Sequence, residues 1–180
     1  KDEPININGW TPKNYDGTFE GSMTVMRALQ KSQNIPAINI LQMVGVDRSY
    51  EYLTQKMHFT TLDENDRNLA ALALGGMTRG VTVYEMAAAY SVFPNKGVYN
   101  KPKTYTKVTD STGKIILEAS NSSNVVFSEN SAYTMRNLLK NAVENGTGGG
   151  SKISGMDTAG KTGTTDKDSD RWFAAFTPYY

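Results

Sequence analysis

The 180 residues contain no cysteine. That excludes a disulfide framework, a thiolate zinc site and a cysteine nucleophile, though it assigns no compartment. There is one histidine, His58, in Gln55-Lys56-Met57-His58-Phe59. A Ser-His-Asp triad would have to use it; it reads instead as a partly buried loop residue. No run of ~18 apolar residues exists, so no segment reads as a membrane span, and none reads as a signal peptide. Charge of one sign is also lacking. Nineteen Lys and Arg face 18 Asp and Glu, a net charge of +1. Without a dense basic stripe the electrostatic footprint of a nucleic-acid binder is missing, so nucleic acid is not an expected partner.

What is present suits one domain, or most of one, over residues 1–180. Lys1 to Asp16, rich in Asn, Pro and Gly, reads as irregular. A helix is expected from an N-cap at Thr24, with Val25, Leu29 and Ser32 on one face. It should stop before Pro36, because the residue preceding proline disfavours helix. Pro36 fits the first turn of a next helix running to Gly45. Asp47 can cap a third, with Tyr50, Leu53 and Met57 at helical spacing. Thr82-Val83-Tyr84-Glu85 is a capping box opening an alanine-rich helix that ends at Pro94. That helix is apolar nearly all round and should be central and buried. Lys103–Thr109 and Lys114–Ala119 read as a hairpin around Asp110-Ser111-Thr112-Gly113. An amphipathic helix follows over Glu129–Glu144, with Met135, Leu138, Leu139, Ala142 and Val143 on one stripe. Gly146-Thr147-Gly148-Gly149-Gly150 reads as a flexible loop, and two strands follow near Thr158–Thr165 and Arg171–Phe176. The fold class is α+β: a mostly helical part joined to part of an antiparallel sheet. So few strands make a poor sheet by themselves, so both ends are expected to be cuts within a larger domain.

The segment richest in chemistry is Ala159-Gly160-Lys161-Thr162-Gly163-Thr164-Thr165. Together with Gly155 it satisfies a phosphate-loop pattern letter for letter. Such a loop needs an apolar strand before it and a helix after it, so that helical amides can hold phosphate. Here a Gly/Ser-rich run precedes and a strand-like run follows, which argues against nucleotide. Read as a strand, the segment offers a lysine and hydroxyls to a carboxylate. Gly163 lets a peptide approach, and the strand's amides and carbonyls can pair with that peptide by β-augmentation. A second candidate is Ser32-Gln33-Asn34 at the junction of two helices. The run Asp166-Lys167-Asp168-Ser169-Asp170 starts like a calcium loop but lacks its glycine and closing glutamate. It reads as a solvated turn, and no metal site is expected.

Lys161-Thr162-Gly163 and Ser32-Gln33-Asn34 resemble motifs of penicillin-binding proteins and serine β-lactamases. Their surroundings narrow the resemblance. Arg27–Ala37, Leu72–Gly76, Gly80-Val81-Thr82 with Glu85–Tyr90, Gly97-Val98-Tyr99 with Lys101-Pro102, Asn145–Gly148, and Trp172-Phe173 with Thr177-Pro178 are similar to class A, bifunctional penicillin-binding proteins in the family's order. The resemblance implies a peptidoglycan transpeptidase domain, extracytoplasmic and anchored to the bacterial membrane through a segment absent from this chain. Its implied partners are stem peptides ending in D-Ala-D-Ala and β-lactam antibiotics, with no cofactor. By matching positions, Ser32 would relay a proton and Asn34 would bind an amide carbonyl. Lys161 would keep the site positive and position Ser32. Thr162 and Thr164 would bind the terminal carboxylate, with Gly163 and Thr165 completing the substrate-binding strand.

The family also requires Ser-x-x-Lys upstream, opening a buried helix and supplying nucleophile and base. The one instance here, Ser111-Thr112-Gly113-Lys114, follows Ser-x-Asn and sits in a turn, so Ser111 reads as a turn residue. The nucleophile is expected in a missing N-terminal part of the same protein. Two alternatives share the fold: a serine β-lactamase, whose deacylating Glu-x-x-Leu-Asn is not found here, and a non-catalytic penicillin-recognising sensor or scaffold. Strict alternation puts Lys161 and Thr164 on opposite strand faces, so either the strand twists or the Thr164 hydroxyl reaches around its edge.

Overall fold

A computed structural model describes residues 1–165 and 169–179. The elements are α1 (Val25–Lys31), α2 (Asn34–Val44), α3 (Val46–Glu51), α4 (Leu69–Leu74), α5 (Val83–Ser91), β1 (Val98–Asn100), β2 (Lys107–Thr109), β3 (Ile115–Glu118), β4 (Ser123–Val125), α6 (Glu129–Asn145), β5 (Ala159–Thr164) and β6 (Arg171–Phe176). Among the described residues the strands form three antiparallel pairs, β1–β4, β2–β3 and β5–β6. The expected α+β class holds.

Helix starts follow the capping chemistry of the sequence. Thr24 Oγ1 accepts from Arg27 N at 3.1 Å, and Ser128 caps α6. Thr82 and Glu85 close the expected capping box on α5. Glu85 does more than cap. Its Oε1 accepts from Thr60 N and Thr60 Oγ1, both at 2.7 Å, which ties the loop after Phe59 to the start of α5. Burial pushes the Glu85 carboxyl up, but the bonds from Thr60 and Thr82 outweigh it and leave the pKa below its ordinary value.

The α1–α2 junction differs from expectation in an informative way. Ser32 leaves the helix in the left-handed region, φ 59°. Gln33 N donates to Ala28 O and Ser32 N to Leu29 O, the paired bonds of a Schellman end with Ser32 where glycine usually sits. The break therefore precedes Pro36 by several residues, and Ile35 is helical. Proline is tolerated because a first-turn N–H has no helical partner to lose. Ser32 shares no face with Val25, which is exposed; Ala28 is the buried residue of α1.

Other expectations need correction. Asp47 does not cap α3: Gly45, at φ 96°, precedes it, and Asp47 Oδ1 accepts from Arg67 Nε at 2.8 Å. The helix continues as a π-helical turn, Tyr52–Lys56. The first turn of α5 is open to solvent at Val83 and Tyr84. His58 is exposed, with Nε2 3.0 Å from Asn124 Oδ1. The β2–β3 hairpin is shorter than expected and exposed along both strands. The loop after α6 is not slack. A Cβ at Gly146 would lie 2.4 Å from Gln30 O and 2.8 Å from Ala142 O, and Gly149–Ser151 forms a 3-10 turn.

Two apolar clusters hold these elements. Met57, Phe59, Leu62, Ala88, Ala89, Val92, Tyr99 and Val126 form one. Leu139, Ala159 and Phe176 form the other, with Leu29, Tyr90, Phe93 and Met135 against it. Helix α5 contributes to both. The second cluster seats β5 on α6, against which α1 also packs, and this brings the strand beside the end of α1. Gly160 is required there, since a Cβ would come within 2.7 Å of Ala174 O.

Candidate active site

The left-handed turn at Ser32 and the strand β5 meet. Lys161 Nζ donates to Ser32 Oγ at 2.8 Å and to Thr162 O at 2.9 Å, with Thr162 Oγ1 at 3.4 Å. The lysine therefore bonds both across to the end of α1 and back to its neighbour's carbonyl. These three acceptors are neutral oxygens, and burial lowers the Lys161 pKa from its ordinary value.

Ser32, Asn34, Thr147, Thr162, Thr164 and Thr165 line a cleft of about 1120 Å³. Trp10, Tyr15, Asn65, Asp66, Asn68, Thr78 and Arg171 also contribute to its walls. Thr164 and Gly163 are exposed, and a Cβ at Gly163 would meet nothing within 4 Å. Gly163 thus leaves open space on the strand, while the close-packed glycine of the motif is Gly160. Thr165 belongs to the turn: its N–H donates to Asp170 O at 3.1 Å, and its Oγ1 accepts from Asp170 N at 2.9 Å. Asp66 is a wall rather than an acid. Burial raises its pKa, but bonds from Thr78 and from Asp63 N outweigh this and hold it below the ordinary value.

Two contributors escaped the sequence reading. The first is Asn14, buried at 3% exposure. Its Oδ1 accepts from Asn34 N at 2.9 Å and Ile35 N at 3.2 Å, capping α2 from a distant segment where Gln33 makes no side-chain cap. Its Nδ2 donates to Asp2 Oδ1 and Thr18 O. Asn34 Nδ2 also donates to Lys13 O at 2.9 Å, so residues 13–14 hold both the backbone and the side chain of Asn34. The second is Thr147, whose Oγ1 accepts from Thr162 Oγ1 at 2.8 Å. The one available signal for it was its place in the Asn145–Gly148 segment, and that signal carried no role.

The structure keeps Ser111 in the β2–β3 turn, where Asp110 Oδ1 gathers Thr112 N, Thr112 Oγ1 and Lys114 N. It is not among the cleft residues. Lys161 lies in a strand paired with β6 from Ala159↔Phe176 to Thr164↔Arg171. A phosphate loop needs a helix after its lysine, and a strand occupies that place. Of the run resembling a calcium loop, 166–168 lie outside the described residues. Among the described residues no cluster of metal-ligating side chains occurs, and no helix is long and apolar enough to cross a membrane.

Comparison with known proteins agrees with this architecture. The chain is 41% identical to penicillin-binding protein 1A of Clostridium acetobutylicum over 99% of its own length and 22% of that protein's. It is 35% identical to penicillin-binding protein 4 of Bacillus subtilis, covering 95% of this chain and 27% of that one. The chain thus spans well under a third of the length of these curated relatives. A crystal structure of the D,D-transpeptidase domain of a peptidoglycan glycosyltransferase from Eggerthella lenta superposes with a TM-score of 0.79 at 25% identity, over 99% of this chain and 51% of that one. Residues 1–179 match the family described as the penicillin binding protein transpeptidase domain, and the chain belongs to that family.

Proposed function

We propose that this chain supplies the proton-relay and substrate-carboxylate half of a serine-type D,D-transpeptidase site. The contact that supports this most is the 2.8 Å bond from Lys161 Nζ to Ser32 Oγ, beside Thr162 and Thr164 in one cleft. In this reading a serine outside these 180 residues attacks the carbonyl of a D-Ala-D-Ala peptide bond. The C–N bond breaks, D-Ala leaves as an amine, and the acyl group passes to an amine of a neighbouring stem peptide. A β-lactam enters the same site and acylates the same serine. No cofactor takes part.

Each residue has a defined task. Ser32 Oγ, held by Lys161, passes a proton towards the departing amine nitrogen. Asn34 uses its second amide hydrogen, the first going to Lys13 O, to donate to a substrate amide carbonyl. Thr162 and Thr164 hydroxyls receive the terminal carboxylate. Lys161, whose described contacts are to neutral oxygens, contributes positive charge to the same anion. The N–H of Thr164 donates to the developing oxyanion. The longer protein is extracytoplasmic and held at the membrane by a segment outside this chain. Fluorescent penicillin tests the assignment: the full-length protein is labelled covalently, and the 180-residue chain alone is not. Labelling of the isolated chain that disappears in Ser111→Ala would overturn it.

A further inference from the structure

We infer that Thr147 is a positioning residue for substrate carboxylate binding, acting through the hydroxyl of Thr162; this rests on the transpeptidase reading above. Three observations carry it. Thr147 is tied to α1 by its backbone, since its N–H donates to Gln30 O at 3.3 Å. Gln30 Nε2 returns a bond to Asn145 O at 2.7 Å, and Gly146 packs too closely against Gln30 O to admit a Cβ. Thr147 is also tied to β5 by its side chain, since Thr162 Oγ1 donates to its Oγ1 at 2.8 Å. Both hydroxyls open on the same cleft as Thr164.

Thr147 thus spans the two halves of the site. Gln30 lies two residues before Ser32, and Thr162 follows Lys161. Lys161 to Ser32 is one tie between these halves, and Thr147 is a second that does not involve the lysine.

The hydroxyl pair also has a direction. In the described pair Thr162 Oγ1 donates to Thr147 Oγ1. A carboxylate accepts only, so Thr162 must turn its proton towards the anion when it binds. Thr147 can then rotate its own proton onto Thr162 Oγ1, and the pair points as a chain at the carboxylate. The bond between the two hydroxyls survives in both states with its direction reversed. What Thr147 contributes is therefore a held rotamer of Thr162 and polarisation of its O–H towards the anion, not an extra bond.

The test is acylation of the full-length protein by a penicillin with a free carboxylate and by its methyl ester. The ratio of the two efficiencies cancels changes common to both substrates. Thr147→Val keeps the side-chain volume and removes the hydroxyl; it should lower the acid-to-ester ratio about two- to tenfold. Thr147→Ser should restore it. In a Thr162→Val background, where the ratio is already reduced, Thr147→Val should lower it no further. An unchanged ratio in Thr147→Val overturns the inference, and so does an equal loss for acid and ester, which would mark Thr147 as a structural tie only. If Thr162→Val itself leaves the ratio unchanged, the carboxylate-binding reading fails, and this inference fails with it.

Discussion

Ser32 occupies a backbone position that favours glycine, and this makes its replacement unusually informative. A left-handed conformation costs a residue with a Cβ about 1–2 kcal/mol. Glycine escapes that cost but has more freedom to lose on folding, which returns about 0.4–1 kcal/mol. Ser32→Ala and Ser32→Gly both remove the hydroxyl bonded to Lys161, so the lost bond cancels between them. The glycine variant should be the more stable of the two by about 1 kcal/mol, read as a higher unfolding midpoint of the full-length protein. Both should lose acylation by about 10²–10⁴-fold, the contribution of a well-placed acid–base group. Stability and activity would then separate at one atom: the chain holds a strained serine because its oxygen is needed there. Equal stability of the two variants would refute the strain. Substantial acylation by either would refute the relay.

Burial lowers the Lys161 pKa, and in the proposed reading its charged form serves an anionic substrate. Acylation efficiency should therefore fall with rising pH from a point below the 10.5 of an ordinary lysine, and Lys161→Arg, whatever its absolute rate, should flatten that limb in a pH profile. Glu85 is held below its ordinary 4.5, so the folded state binds fewer protons there than the unfolded one. Its stabilisation is complete above 4.5 and is lost as pH falls through the folded value. Glu85→Gln should cost about 1–3 kcal/mol at neutral pH and weaken the acid dependence of the unfolding midpoint. Asn14→Ala removes the acceptor for Asn34 N and Ile35 N; it should cost about 1–2 kcal/mol of stability, and Asn14→Asp, which loses the donor to Asp2, should not restore it.

Local chemistry made much of this fold legible. Thr24, Thr82 and Glu85 announce helix starts through their own hydroxyls and carboxylate, and the stripe on α6 buries Leu139, Ala142 and Val143 as spaced. The strand carrying Lys161, Thr162 and Thr164 was readable from its motif. What stayed hidden depends on contacts between distant segments. Asn14 lies 20 residues from Asn34 and reads as part of an irregular stretch. Thr147 sits among glycines that suggest slackness, yet Gly146 is there to let two backbones touch. Strands β1 and β4, three residues each, are too short to show a period. Ser32 reads from the sequence both as the last position of a helix face and as the junction of two helices, and nothing local marks it as left-handed; the Schellman bonds that hold it appear only once the chain turns.

The central claim is that these residues complete a site whose nucleophile lies elsewhere in the protein. Locating the covalent penicilloyl group by peptide mass spectrometry of the full-length protein tests it most directly. The expected result is a single adduct on the serine of a Ser-x-x-Lys sequence outside these 180 residues, with its yield cut sharply by Ser32→Ala and Lys161→Ala. An adduct on Ser32 or Ser111, or an adduct formed equally well in both variants, would contradict it.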